Sequence, residues 1–226
     1  MYKQVKQIKQ DKQDKSGLSI DETERARLIK LGEAEDALRQ AGFQAIAGLD
    51  EAGRGPLAGP VVAAAVILPS NLLLSGLNDS KKVNVKNRQR LEGEIREKSI
   101  AWGIGEASHQ EIDAYNILNA TKLAMKRALD ALGTRPDYLL LDAIRLDVSL
   151  PQESIIKGDE KVACISAASI LAKTHRDRLM QEWDKLYPDY GFAQHKGYPT
   201  AVHRQKVIEI GPCPIHRLTF LKFTKK

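Results

Sequence analysis

The chain has little of what small secreted proteins or membrane proteins depend on. Among its 226 residues are two cysteines, Cys164 and Cys213, and neither belongs to a C-x-x-C pair. This excludes a disulfide scaffold and a cysteine zinc site, and it suits a reducing compartment. No run approaches 18 apolar residues, so no transmembrane helix and no membrane association are expected. The first 15 residues are rich in lysine and glutamine without an apolar segment, which predicts no secretory signal and a cytoplasmic location.

Charge is unevenly distributed. Residues 44–160 hold 14 basic and 16 acidic side chains, a net charge of −2, whereas residues 161–226 hold 12 basic and 5 acidic ones, a net charge of +7. Four of the five histidines also lie in this last third; for His175, His203 and His216 we expect surface or phosphate-contact positions. A basic region beside a nearly neutral one indicates a polyanionic partner such as nucleic acid, although a solvated basic surface gives the same composition.

The order of apolar segments predicts an α/β fold with a mixed sheet. Residues 1–43 form a polar and basic N-terminal extension, partly helical or disordered, and residues 44–226 form the main domain, whose part from about 178 onward is helical. Strands are predicted at 45–49, 61–68, 101–107, 138–142 and 154–157, the first two antiparallel and the fourth parallel. Helices are predicted at 84–99, 108–132 (one or two), 161–186 and 201–210.

Acidic residues stand where two apolar strands end. Asp50 and Glu51 close the first strand and Asp142 closes the fourth, while Asp177 lies on the long helix. Ligand sites in open α/β sheets form at such edges. If the four converge, a like-charge pair 4 Å apart costs about 4 kcal/mol at an effective dielectric of 20, so cations must offset the repulsion. Oxygen ligands favour Mg²⁺ or Mn²⁺ over zinc. Separately, each acid also fits a cap or turn, and Asp177 fits a surface ion pair.

Several further residues are candidates for nucleic-acid binding. The turn Gly53-Arg54-Gly55 lets backbone N–H groups approach an anion or hydroxyl, although a tight hairpin turn is the simpler interpretation. Lys81 and Lys82 precede a helix and could contact phosphates or simply be solvated, and Lys173 lies one helical turn before Asp177. Tyr198 follows basic residues in a loop, where its ring could stack on a sugar or base or be half-buried.

Taken together, six segments resemble ribonuclease HII, the type 2 ribonuclease H of bacteria. They are Gly48 to Pro60, Asp79 to Lys82, Leu139 to Asp142, Ser166 to Lys173 with Arg176 and Asp177, Lys196 to Thr200, and His216 with Arg217. The resemblance runs in one collinear order from about residue 44 to about residue 221, so the N-terminal extension lies outside it.

This resemblance implies the ribonuclease H fold, a mixed five-stranded sheet flanked by helices with a helical C-terminal region. It implies hydrolysis of the RNA strand of RNA–DNA hybrids and incision 5′ to ribonucleotides embedded in duplex DNA, leaving a 3′-hydroxyl and a 5′-phosphate. The family's catalytic and metal-binding acids map onto Asp50, Glu51, Asp142 and Asp177, which would hold two divalent ions.

The resemblance also assigns the nucleic-acid contacts. The Gly53-Arg54-Gly55 backbone would bind the 2′-hydroxyl, Tyr198 would pack on the adjoining deoxyribose, and Lys81, Lys82 and Lys173 would contact phosphates. A monomer without an obligatory protein partner is expected.

Three alternatives remain open at this point. Ribonuclease HIII shares the catalytic pattern but carries a sizeable N-terminal domain, whereas only 49 mostly polar residues precede Asp50 here. A non-catalytic nucleic-acid-binding module is disfavoured by acids that would face phosphate. Residues 1–43 could also bind a partner protein.

Overall fold

The computed structural model describes residues 20–224, in which a five-stranded mixed sheet carries helices on both faces. The strands are β1 (Ile46–Ala52), β2 (Val61–Ile67), β3 (Ala101–Ala107), β4 (Tyr138–Asp142) and β5 (Gln152–Ile155), in the spatial order β3-β2-β1-β4-β5. β1 and β3 each pair antiparallel with β2, whereas β4 pairs parallel with both β1 and β5. The predicted α/β class and mixed sheet are therefore confirmed.

The helices divide between the two faces of the sheet. The longer ones are α1 (Glu22–Gln40), α2 (Val85–Lys98), α3 (His109–Asp130), α5 (Ala163–Leu186) and α7 (Ala201–Ile210), and two short helices are α4 (Gly158–Lys161) and α6 (Phe192–His195). Because side chains alternate along a strand, Val62, Ala64 and Val66 of β2 pack in a core with residues of α1, α2 and α5. The other side of β2 packs with residues of α3.

Several predicted boundaries differ from the structure. β1 continues to Ala52 instead of ending at residue 49, so Asp50 and Glu51 lie within the strand. β5 covers residues 152–155 rather than 154–157. The long helix predicted over 161–186 is interrupted at Val162, whose φ of −133° and ψ of 128° are extended, so that α4 and α5 are separate. α3 is continuous except at Asn116, where a φ of 67° produces a kink. The sequence left open whether residues 108–132 form one helix or two, and the structure has one helix with a kink at Asn116.

α5 lies directly against β1 because Gly48 has no side chain. A Cβ atom at Gly48 would fall 2.2 Å from the carbonyl carbon of Cys164, so any other residue would push the helix off the strand. This close approach aligns α5 beside the strand that carries Asp50 and Glu51.

The N-terminal helix contributes to the same core as the sheet. Leu28 and Leu31 of α1 are buried in the cluster that contains the first turns of α5. The domain boundary at residue 43/44 stays a prediction, and the part of the extension predicted to be disordered falls largely on residues 1–19, outside the described residues. Within residues 20–224, no helix combines the length and hydrophobicity that crossing a bilayer requires.

Candidate active site

Asp50 is a buried carboxylate in the central strand. Its side chain accepts the backbone N–H of Glu51 at 2.7 Å, and the residue is only 4% exposed. Burial raises the pKa of Asp50 well above its usual value, and the neighbouring charges of Glu51 and Asp142 raise it further, while a hydrogen bond with Ser169 opposes the shift. Asp50 therefore occupies a site where negative charge is poorly compensated by the protein alone.

Glu51 has one satisfied and one unsatisfied oxygen. Oε1 lies 3.3 Å from a guanidinium nitrogen of Arg54, but the buried Oε2 has no hydrogen-bond partner within the described residues. Burial raises the pKa of Glu51 and so does the charge of Asp142, whereas Arg54 and Lys81 lower it. A buried carboxylate oxygen without a donor is costly unless something else contacts it.

Asp142 and Asp159 bring two further carboxylates to the same edge, the first from strand β4 and the second from helix α4. Asp142 ends β4, and its Oδ1 accepts the Gly158 backbone N–H at 2.8 Å. The next residue, Asp159, is buried, and its pKa is raised by burial first and then by the charges of Asp79 and Asp142. Lys81 opposes that shift, with Nζ 3.5 Å from Asp159 Oδ2.

The structure corrects the prediction that Asp177 completes this cluster. Its carboxylate pairs with Lys173 at 2.6 Å and Arg88 at 3.6 Å. Ser169, which contacts Asp50, precedes Asp177 by eight residues on α5, or about 12 Å along the helix axis. Asp177 thus lies too far along the helix to meet Asp50, and the ion-pair interpretation fits it better.

Asp159 is the acid that the sequence analysis missed. The sequence did contain a signal, because Gly158 and Asp159 come shortly after β5, the strand that pairs with β4, with two residues between. An acid that follows a parallel strand lies at the ligand-binding edge of the sheet, for Asp159 as for Asp142.

The chemistry of this cluster fits a hard divalent cation. The charge of Asp142 raises the pKa of Asp50, Glu51 and Asp159, and Glu51 Oε2 is buried without a donor among residues 20–224. Oxygen-only donor sets are typical of Mg²⁺ and Mn²⁺ sites. Across the described part of the chain, no three Asp, Glu, His or Cys side chains are already arranged around a common point, so side chains must rotate to share an ion.

The glycine-rich turn after β1 is fixed by two buried arginines. Gly53 has a φ of +101°, a backbone conformation that favours glycine. A Cβ there would also lie 2.1 Å from Nε of Arg176, so both the backbone and the packing exclude a side chain. Arg217 donates to the carbonyl oxygens of Gly53, Arg54, Gly59 and Pro60. Arg176 donates to those of Ala58, Pro60 and Lys196. Both arginines are almost fully buried, so the turn's main chain has a defined shape.

The predicted nucleic-acid contacts surround this turn and the acidic edge. Lys81 and Lys82 are largely exposed beside the short helix α4, where Lys82 pairs with Glu160 at 2.8 Å. The ring of Tyr198 is 39% exposed, and its Cε1 would lie 3.7 Å from a Cβ placed on Gly55. The ammonium group of Lys173 is 5.9 Å from the centre of that ring. Tyr198, Gly55 and Lys173 therefore border one surface.

The histidines occupy different environments from those expected. His203 and His216 are fully buried rather than on the surface, and His175 is hydrogen-bonded to Glu106 at 2.6 Å. The expectation of surface positions for His203 and His216 was wrong because both lie in a small C-terminal core with Phe192 and Tyr190.

Comparison with known proteins identifies the relatives of this chain. Residues 47–223 match the family model described as Ribonuclease HII. The chain belongs to the ribonuclease HII family. Over 187 residues it is 54% identical to the Ribonuclease HII of Syntrophotalea carbinolica, covering 82% of this chain and 90% of that one.

Solved structures of type 2 and type 3 enzymes share the fold. The ribonuclease H2 of Pyrococcus horikoshii OT3 matches with a TM-score of 0.66 and 26% identity, covering 80% of this chain and 97% of that one. Bst-RNase HIII, solved in complex with Mn²⁺, matches with a TM-score of 0.56 and 16% identity over 77% of this chain and 65% of that one. The second likeness bears on the fold alone.

Membership of the ribonuclease HII family establishes the activity. The chain is a metal-dependent endoribonuclease that cleaves RNA in RNA–DNA hybrids and excises ribonucleotides embedded in DNA. The predicted family, fold and enzymatic function are thus confirmed.

Proposed function

We propose that Asp50, Glu51, Asp142 and Asp159 hold two divalent cations, Mg²⁺ or Mn²⁺, against the scissile phosphate. The observation that carries this proposal is the buried, unpartnered Glu51 Oε2 beside the mutually repelling Asp50 and Asp142. When bound, such ions supply a nucleophilic hydroxide and stabilise the departing 3′-oxygen. The protein's part is to hold the carboxylates close together, and Lys81 adds positive charge beside Asp159.

Recognition of the ribonucleotide belongs to the glycine-rich turn. The 2′-hydroxyl is the group that distinguishes RNA from DNA, and the backbone of Gly53, Arg54 and Gly55 can approach it without side-chain obstruction. Tyr198, against Gly55, packs on the sugar that follows the ribonucleotide. Incision 5′ to an embedded ribonucleotide, with a 3′-hydroxyl and a 5′-phosphate as products, is the outcome that this arrangement favours.

Phosphate contacts determine affinity but not specificity. Lys81 and Lys82 are exposed cations near the acidic edge, and Lys173 lies by the ring of Tyr198. Because binding to phosphates releases counterions, affinity for duplexes should fall steeply as salt rises.

We also propose that the enzyme acts as a monomer in the cytoplasm, without an obligatory protein partner, in ribonucleotide removal during DNA replication and repair.

The direct test maps the cut in a DNA duplex that contains one ribonucleotide. We expect one cut on the 5′ side of that ribonucleotide in Mg²⁺ or Mn²⁺, abolished by a chelator and restored by the metal. A cut elsewhere, or cutting that persists after complete chelation, would contradict the proposal.

The identity of the fourth acid is tested by a matched pair of variants. Asp159→Asn should lower kcat by about 100-fold or more, since several kcal/mol of transition-state stabilisation depend on the bound ions. Asp177→Asn, which only loses ion pairs to Lys173 and Arg88, should change kcat much less. The reverse ranking, with both variants folded, would restore Asp177 to the site and remove Asp159.

A further inference from the structure

Three imidazoles and a thiol are packed beneath the loop that carries Tyr198. His203 and His216 are fully buried, with their Nε2 atoms 3.0 Å apart. His195 stacks on His203 with ring centres 4.3 Å apart. Cys213 lies beside His216, with Sγ 3.1 Å from Nδ1. None of these groups takes part in the function proposed above.

The hydrogen bonds of His203 and His216 define a single arrangement of protons. Nδ1 of His203 lies 2.9 Å from the carbonyl oxygen of Tyr198, so Nδ1 must carry the proton and donate. Nε2 of a neutral His203 is then an acceptor, which requires His216 to donate from its own Nε2. Nδ1 of His216 is left as an acceptor, and the backbone N–H of Cys213 donates to it at 3.0 Å. The Cys213 carbonyl oxygen, 3.2 Å from the same nitrogen, is the longer contact and receives no hydrogen in this arrangement.

The chain of donors therefore runs from Cys213 through His216 and His203 to the carbonyl of Tyr198. It needs both rings neutral, and burial lowers the pKa of His203 and lowers that of His216 to about 4. His195 fits the same scheme: its Nε2–H donates to the Tyr190 carbonyl at 2.7 Å, and its Nδ1 accepts the Gly197 N–H at 3.1 Å.

The same region is bonded to residues 57–59, the segment that follows the glycine-rich turn. Leu57 donates its backbone N–H to Gly197 at 2.8 Å, and Gly59 donates to Ile215 at 2.9 Å. Ala58 forms an isolated β-bridge with His216. His216 therefore does two things. Its backbone pairs with Ala58, and its ring supports His203.

We propose that His203, supported by His216, is a positioning residue that holds the backbone of Tyr198 so that its ring meets the sugar next to the ribonucleotide. This inference rests on the proposed role of Tyr198 in the function above. It extends that role to two buried residues that do not touch substrate.

Three substitutions at one position separate the two hydrogen bonds. Asn places its amide donor close to the position of Nδ1, so His203→Asn keeps the bond to Tyr198. Gln places its amide near Nε2, so His203→Gln keeps only the contact with His216, and His203→Phe keeps neither. We expect His203→Asn to retain most of the activity on a single-ribonucleotide duplex, and the Gln and Phe variants to lose about 10-fold in kcat/KM, chiefly through KM.

The readout is the ratio of kcat/KM on the single-ribonucleotide duplex to kcat/KM on a long RNA–DNA hybrid. General loosening of the protein lowers both values together, whereas misplacing Tyr198 lowers the ratio. In the Tyr198→Ala background, His203→Gln should cause no further loss, because the ring that it positions is gone. Additive losses in this double-mutant cycle, or equal losses in the Asn and Gln variants, would overturn the inference.

A measurement on the unmodified protein guards against variants that do not fold. Nitrogen-15 spectra of the histidine rings should show His203 protonated at Nδ1 and His216 protonated at Nε2, both neutral at pH 7. The opposite tautomers would overturn the inference.

Different results would refute the role of Tyr198 and the support by the histidines. Wild-type enzyme that ignores an embedded ribonucleotide, or a Tyr198→Ala variant with an unchanged ratio, would refute the proposed role of Tyr198. A normal response to Tyr198→Ala combined with the wrong tautomers or an additive cycle would refute the histidine support alone.

Discussion

Replacing Glu35 with glutamine should remove a large pH dependence from the stability of the protein. Glu35 lies on α1 and is only 2% exposed, and it accepts the backbone N–H of Cys164 at 3.3 Å, at the start of α5. The N-cap of α5, Val162, offers no side-chain hydrogen bond, so Glu35 supplies a partner for this helix end from a distant part of the chain. Burial raises the pKa of Glu35 from 4.5 to about 7.

The magnitude follows from the difference between these two pKa values. Below pH 4.5 the carboxyl group is protonated in both states, and above pH 7 it is ionised in both. Between them the folded state holds a proton that the unfolded state has lost, so the free energy of unfolding decreases as pH rises. A shift from 4.5 to about 7 corresponds to about 3 kcal/mol, at 1.36 kcal/mol per pKa unit. Glutamine keeps the size and cannot ionise.

Urea denaturation at pH 5 and pH 8 measures this effect. Relative to the wild type, Glu35→Gln should become more stable by about 2.5 kcal/mol between the two pH values, since the unfolded carboxyl is already partly ionised at pH 5. The matched control is Glu33→Gln, two residues away on the exposed side of α1, which should show almost no pH-dependent difference. A Glu35→Gln profile parallel to the wild-type profile would refute the assignment of this titration to Glu35.

Other substitutions test the turn and the helix. Arg217→Lys replaces a guanidinium bound to four carbonyl oxygens by an ammonium group with three donors; we expect a loss of about 3 kcal/mol in a denaturation experiment, since bonds from charged donors contribute about 1.5–3 kcal/mol each. Gly53→Ala should lower kcat/KM on a single-ribonucleotide duplex by at least about 10-fold, because its Cβ would collide with Arg176. Gly32→Ala, with open space in the middle of α1, should instead raise the free energy of unfolding by about 1 kcal/mol with activity unchanged. An inactive Gly32→Ala or an undiminished Gly53→Ala would contradict the steric argument.

Much of the fold could be predicted because its strands are short apolar runs bounded by turn residues. Val61 to Ile67 is apolar throughout, as expected for a strand covered on both faces, and it is buried throughout. The interruption at Val162 was not predictable from propensity, since valine fits a helix or an extended segment and only packing decides between them.

The site was predictable only where a residue's position on a strand determines its direction. Asp50, Glu51 and Asp142 end up near one another because parallel strands β1 and β4 deliver them to one edge. Asp177 lies on a long helix. Its distance from the acidic edge depends on which residue of that helix meets β1, and no local sequence pattern specifies that contact. Asp159 lies in α4, beyond the end of β5, so its place at the same edge depends on the pairing of β5 with β4 and on the turn that follows β5.

The clamp formed by Arg176 and Arg217 has a consequence for sequence change. Both guanidiniums donate hydrogen bonds to main-chain carbonyl oxygens, which are present whatever the side chain. The exposed Arg54 can therefore be exchanged without altering the main-chain contour presented to a ribose, although its ion pair with Glu51 is then lost, whereas the two arginines underneath cannot. We therefore expect substitutions that change substrate preference to occur at the exposed side chain of this turn and not at the two buried arginines.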